Sequence, residues 1–142
     1  MRLLRSWLIL VGVVQCAAVI AVFMPHSWMD LCSRLMGVDP LPASSLPGYL
    51  ARLSSAMYVV HGAMLIITAW YLPLVMPLVI PFARLTILLG GIMLWIDVAE
   101  RMPIIWTIFE TTALVLSGGL TEYFARLAMS KANSNTNPAG VA

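Results

Sequence analysis

The sequence predicts an all-α integral membrane protein: an antiparallel four-helix bundle with a short amphipathic helix lying at the interface in its first loop. Three observations carry that prediction. Hydrophobic residues make up 61% of the 142-residue chain and charged residues 10%, and mean hydropathy is +0.95. A soluble domain is about 45–50% apolar and about 25% charged, so this chain cannot cover its surface with polar groups in water. Four apolar stretches reach the ~20 residues that a helix needs to cross the hydrocarbon core. Alternating apolar–polar strand patterns are absent, and only helices or closed barrels satisfy every backbone group in lipid. The same figures exclude an ordinary soluble domain, a disordered chain and a nucleic-acid binder.

The first span covers residues 3–24. Arg2 and Arg5 precede it as they would a signal peptide. The apolar run is longer than an h-region, however, and no small-x-small cleavage pattern precedes Pro25, so it reads as a retained helix. Residues 25–48 form the long connection. Within them Trp28, Leu31, Leu35 and Met29, Cys32, Met36 recur at helical spacing, while Asp30, Ser33 and Arg34 fall elsewhere. That pattern predicts an amphipathic helix over residues 26–37, stopped by Gly37. Residues 39–48 are proline-rich and read as extended. The second span, 49–71, is opened by Pro47-Gly48 and closed by Pro73. The third, 78–98, carries Pro77 and Pro81 in its first turns, where proline is tolerated. The fourth, 103–127, begins at Pro103. Residues 129–142 are polar and read as a disordered tail.

The net charge of +2 is too mild to imply a partner, but its placement is informative. With both termini on one side, that side holds Arg2, Arg5, Arg84, Arg126 and Lys131; the other holds Arg34, Arg52 and Arg101. The excess favours cytoplasmic termini, and a bacterial inner membrane is the expected location. The other side collects Asp30, Asp39, Asp97, Glu100 and Glu110. Trp7 and Trp70 near one surface, with Trp28, Trp95 and Trp106 near the other, suit interfacial belts. Cys16 and Cys32 form no CxxC and no Cys/His cluster, so redox and zinc motifs are missing. Small residues at Gly12, Gly62-Ala63, Gly90-Gly91 and Gly118-Gly119 mark close helix contacts.

A charge within a span costs at least a few kcal/mol unless paired or hydrated, so each is a candidate site. Glu110 lies roughly 10 Å beyond Pro103 by helix rise, flanked by Thr107 and Thr111. It reads either as a proton-accepting or substrate-binding carboxylate, or as a structural acid paired with Arg52, which Asp97 would share. Asp97 and Arg101, at i and i+4, are expected on one helix face. Joined with Tyr58, these residues make a candidate buried polar cluster: Arg52, Tyr58, Asp97, Arg101 and Glu110. His61 falls near mid-height of the second span and reads as a hydrogen-bonded interior histidine. The other histidine, His26, sits at a different depth, which argues against a haem held by two histidines. Arg84 and Glu122 are expected to form an inner-side anchor pair, with Arg126 at i+4 from Glu122. No metal site or cofactor is predicted.

Two stretches carry a family likeness. One is Asp39-Pro-Leu-Pro followed by Tyr49-Leu-Ala-Arg52 and Tyr58 to Gly62. The other is Ile96-Asp97, Met102-Pro103, Trp106-Thr107 and Glu110. Together they resemble a group of small, uncharacterised four-helix bacterial membrane proteins, and the overall plan is similar to DoxX-like proteins. The resemblance covers about residues 25–127. It implies a four-helix integral membrane fold and carries no established activity. Residues 72–77 are apolar where such proteins often have a basic segment.

Without a recognised catalytic constellation, the sequence points first to a non-catalytic subunit or scaffold of a membrane complex. Its expected partners are the lipid bilayer and other membrane subunits or a second copy. A proton-coupled carrier using the Glu110, Arg52 and Asp97 cluster is one alternative. A DoxX-like quinone or haem redox component is another.

Overall fold

Among the described residues, long apolar runs punctuated by proline and glycine fold into six helices: α1 (Arg2–Cys16), α2 (Val19–Val22), α3 (His26–Leu35), α4 (Ser45–Trp70), α5 (Leu72–Ala99) and α6 (Ile104–Thr136). The computed structural model describes residues 1–37 and 45–136, with side chains to residue 132. No strand occurs among the described residues. Four segments among the described residues are long and apolar enough to cross a membrane: Arg2–Val22, Ser45–Trp70, Leu72–Ala99 and Ile104–Ala132. The shortest has 21 residues, about 31 Å at 1.5 Å per residue, close to the ~30 Å hydrocarbon thickness.

The first span is not one continuous helix. At Ala17-Ala18 the bonding tightens to three-residue steps: Ala18 N–H to Gln15 O at 3.0 Å, Ile20 N–H to Ala17 O at 3.1 Å and Ala21 N–H to Ala18 O at 3.0 Å. The amphipathic helix α3 starts on Pro25, whose extended ψ of 150° turns the chain. It stops where Gly37 takes φ 73°, a left-handed conformation that glycine adopts without steric cost. Part of the proline-rich stretch, residues 38–44 with Asp39, lies outside the described residues. From Ser45 onward the chain is already helical, so Pro47 sits in the first turn of α4.

The largest departure from the sequence reading is at residues 72–77, expected to connect two spans. Only Tyr71 separates α4 from α5, and Pro77 and Pro81 lie inside the helix. Pro73, Pro77 and Pro81 are spaced by four, so their missing N–H groups fall along one stripe. The helix runs unbroken through them from Leu72 to Ala99. Arg84 therefore stands twelve residues past Leu72, about 18 Å along the helix, deeper than the two turns expected.

Helix α5 ends in a Schellman motif. Arg101 N–H bonds Val98 O at 3.3 Å and Met102 N–H bonds Asp97 O at 2.9 Å, with Arg101 at φ 56° where glycine is usual. Arg101 has thus left the helix, and the shared face expected for Asp97 and Arg101 does not form. Helix α6 runs on to Thr136, through the first part of the expected tail; residues 137–142 lie outside the described residues.

The helices pair as two antiparallel hairpins. In one, α1 crosses α4 with Gly12 against Gly62; a Cβ on Gly62 would stand 2.6 Å from Gly12 O. In the other, α5 packs on α6 with Gly118 against Ala83 and Ile87, and Gly90 against Leu114 and Val115. The hairpins meet at the end holding Arg2, Tyr71 and Lys131, called here the near end. There Leu4 and Leu8 of α1 pack with Ala69 of α4, Leu72, Met76 and Val79 of α5, and Ala125 and Ala128 of α6. The far end holds Pro25, Ser45 and the α5–α6 turn.

Candidate functional site

Polar side chains gather at three heights. At the far end, Glu110 accepts two hydrogen bonds from neutral donors. Tyr58 Oη donates to its Oε1 at 3.0 Å, and Trp106 Nε1 to its Oε2 at 2.9 Å. Trp106 lies four residues earlier on the same helix face. Tyr58 comes from α4, so this bond links the two hairpins. The Arg52 guanidinium instead donates to Met24 O at 3.2 Å, and the expected Arg52–Glu110 pair is not formed. The reason is height. Arg52 is six residues, about 9 Å, nearer the α4 start than Tyr58, and helical side chains lean toward the N-terminus, away from Glu110.

Asp97 is buried at 3% exposure and Thr107 at 5%. The α5–α6 register that sets Gly90 opposite Leu114 and Val115 brings Asp97 level with Thr107. Asp97 Oδ2 and Thr111 Oγ1 are buried without a hydrogen-bond partner among the described residues. Of the five residues proposed as one cluster, the structure therefore joins Tyr58 with Glu110 and buries Asp97. Arg52 ties α4 to the chain before α3, and Arg101 is exposed at the turn.

At mid-height, His61 Nδ1 and Gln15 Oε1 are 2.6 Å apart and tie α4 to α1. One turn away the Cys16 thiol donates to Val59 O at 3.7 Å. A cleft of about 100 Å³ opens between the hairpins here. Gln15, His61, Thr68, Thr86, Ser117 and Thr121 supply its polar lining, and Leu8, Val79 and Phe82 part of its apolar wall. The sequence reading expected His61 in the interior; it is hydrogen-bonded but exposed, because the α1–α4 crossing leaves that face of α4 uncovered. The same reading missed Gln15, the chain's one glutamine. An amide within an apolar run is the signal that marks it.

Near the other end, Arg84 Nε and Nη2 lie 3.3 and 3.1 Å from Glu122 Oε1. Arg126 Nε donates to the same oxygen at 3.0 Å and Nη2 at 2.5 Å. The expected Arg84–Glu122 pair is thus a triad. Trp7 Nε1 donates to Thr121 Oγ1 at 3.0 Å, fixing α1 against α6, and the Trp7 ring meets Phe124 edge-on at 6.0 Å. Among the described residues no three His, Cys, Asp or Glu side chains converge to hold a metal ion.

Compared with known proteins, the chain matches no family model, no curated protein and no solved structure.

Proposed function

We propose that the chain is a non-catalytic subunit or scaffold of a membrane assembly: a four-helix transmembrane bundle in the bacterial inner membrane, both termini cytoplasmic. The observation that carries the reading is how little of α4 is covered. Its 26 residues bury only Gly48, Gly62 and Ala69, whereas α5 buries Leu72, Met76, Val79, Ala83, Gly90 and Asp97. No large α4 side chain is enclosed, and the His61 ring is exposed at a height where polar groups are costly in lipid. A neighbouring helix laid on α4 removes that cost. The interhelical polar bonds also favour holding over reacting. Tyr58–Glu110, His61–Gln15 and Trp7–Thr121 each join two helices.

Orientation follows from charge. Among the described residues the near end carries Arg2, Arg5, Arg84, Arg126 and Lys131 against Glu122; the far end has Arg34, Arg52 and Arg101 against Asp30, Asp97, Glu100 and Glu110. Such asymmetry supports a cytoplasmic near end.

Photo-crosslinkers at the exposed α4 positions Val60 and Met64 test the reading, with Leu85 and Leu88 of α5 as controls. In native membranes a discrete heavier adduct is expected from α4 alone. No α4 adduct, together with a single-chain mass in native lipid discs, refutes a subunit role.

A quinone-binding reading has one observation in its favour, the cleft beside His61. At about 100 Å³ it is below the ~300–1,000 Å³ of ordinary ligand sites, so this reading ranks second. Solvent extraction and an absorption spectrum of the purified protein decide it: a stoichiometric quinone supports it, and a chain free of quinone and chromophore removes it.

A further inference from the structure

The triad Arg84–Glu122–Arg126 is not charge-balanced. Two guanidiniums share one carboxylate, leaving a net charge of +1, and all four of their bonds end on a single oxygen, Glu122 Oε1. A guanidinium has five N–H donors, so each arginine keeps three uncommitted to Glu122. Both side chains face outward, Arg84 at 61% and Arg126 at 59% exposure, while Glu122 beneath them is at 18%.

Their height matters as much as their charge. Thr121 is bonded to Trp7, which sets Glu122 five residues, about 7.5 Å, in from Arg2. Arg126 lies one turn closer to the near end, where Ala125 and Ala128 pack with Leu4. The Arg84 backbone is deeper, but its side chain leans toward the start of α5 and delivers the guanidinium to this level. The cluster thus lies on the near-end side of two spans, from where long arginine side chains reach toward the headgroup level. It is also separate from the cleft. Ala83, Ile87 and Gly118 form the α5–α6 seam; Phe82, Thr86 and Ser117 turn to the cleft side, and the triad occupies the opposite flank by helix phase.

A surplus guanidinium charge at a bilayer edge needs an anion, and paired arginines match phosphate oxygens by forked hydrogen bonds. We infer that Arg84 and Arg126 together bind the phosphate of an anionic phospholipid in the leaflet at the near end. Glu122 acts as the spacer that holds the two guanidiniums side by side. The inference rests on the transmembrane reading but not on the subunit role.

The test uses the full chain in phosphatidylcholine vesicles with and without phosphatidylglycerol, read by lipid retained in native mass spectra. Phosphatidylglycerol is expected to be retained preferentially. Arg84→Gln and Arg126→Gln should each lower that retention about tenfold, the loss of one charged hydrogen-bonding partner. Glu122→Gln removes the competing carboxylate and should raise retention, whereas a merely structural triad predicts a fall or no change. Equal retention of both lipids by the unsubstituted chain overturns the site. Displacement of the lipid by inorganic phosphate, with the same arginine dependence, reassigns it to soluble phosphate esters and overturns the lipid assignment. Release of the chain from vesicles by alkaline carbonate would instead refute the transmembrane reading.

Discussion

The close crossing of α1 and α4 at Gly12 and Gly62 gives the sharpest test of the fold, through Gly62→Ala. A Cβ at Gly62 would stand 2.6 Å from Gly12 O and 3.0 Å from both Cys16 N and Cys16 Sγ. Ordinary contact begins near 3.4 Å, so α1 and α4 must part by about 0.8 Å. The thiol can rotate away; the backbone carbonyl and amide cannot. A gap of that size forfeits roughly a quarter to a half of each dispersion contact along the seam. Overpacking of this kind costs about 1–3 kcal/mol, offset by up to ~1 kcal/mol of helix propensity gained over glycine. The net is a loss of up to about 2 kcal/mol. Gly91→Ala is the control, because a Cβ there meets nothing within 4 Å, leaving only the propensity gain. Thermal unfolding in one lipid–detergent mixture should separate the two variants by roughly 5–10 °C, Gly62→Ala lower. Cys16 should also become more accessible to maleimide in Gly62→Ala as the seam opens. Equal shifts for the two variants would refute the Gly12–Gly62 crossing.

Four further outcomes follow. Arg101→Gly relieves a left-handed residue costing about 1–2 kcal/mol and gives some back in unfolded-chain entropy; a raised Tm is expected, and a lowered one contradicts the Schellman turn. Tyr58→Phe and Glu110→Gln, measured singly and together, should show coupling of about 0.5–1.5 kcal/mol; additivity would mean that the two do not interact. In single-cysteine variants, an impermeant maleimide should label exposed Cys32 from the outer face and leave Cys16 untouched, and labelling of Cys32 only from the cytoplasmic face reverses the orientation. Glu110→Gln in proteoliposomes should leave proton flux at the wild-type level, whereas abolished flux would revive the carrier reading.

Much of the helical plan was legible because it depends on local rules. Apolar runs long enough to cross a bilayer, the α3 periodicity and the Gly37 stop are all read from neighbouring residues. The error at residues 72–77 came from treating prolines one at a time. Their spacing of four, rather than their number, lets a helix run through them, and the depth of Arg84 changed with it. The Arg84–Glu122 pair survived that shift because Glu122 moved into register with the deeper position. The Arg52–Glu110 pair did not, because equal distance from a surface along two helices says nothing about which way a side chain leans. Arg101 was misplaced for a different reason: a left-handed arginine at a helix end follows from the closure of the tight α5–α6 turn and the two hydrogen bonds that form it. Gln15 and Trp7 found partners on other helices, and pairing of that kind depends on rotation about the helix axis.

Lipid does not drive helices together as water does, so association depends on close backbone approach and on hydrogen bonds. Both hairpins have the first: Gly12 with Gly62, and Gly118 with Ala83. Between the hairpins no glycine contact occurs among the described residues. Their union depends on the near-end core from Leu4 to Ala128 and on the Trp7–Thr121 and Tyr58–Glu110 bonds. Interhelical hydrogen bonds in a membrane average about 0.6 kcal/mol, little beside the loss expected from forcing one glycine seam apart. Each hairpin is therefore tighter than the junction between them. The far half of that junction, bridged by Tyr58 and Glu110, is the weakest part. The residue that governs it is thus Glu110, as a tie between hairpins and not as the partner of Arg52. The least covered helix, α4, borders the same junction, so a neighbour seated on α4 stabilises the fold where its own contacts are thinnest.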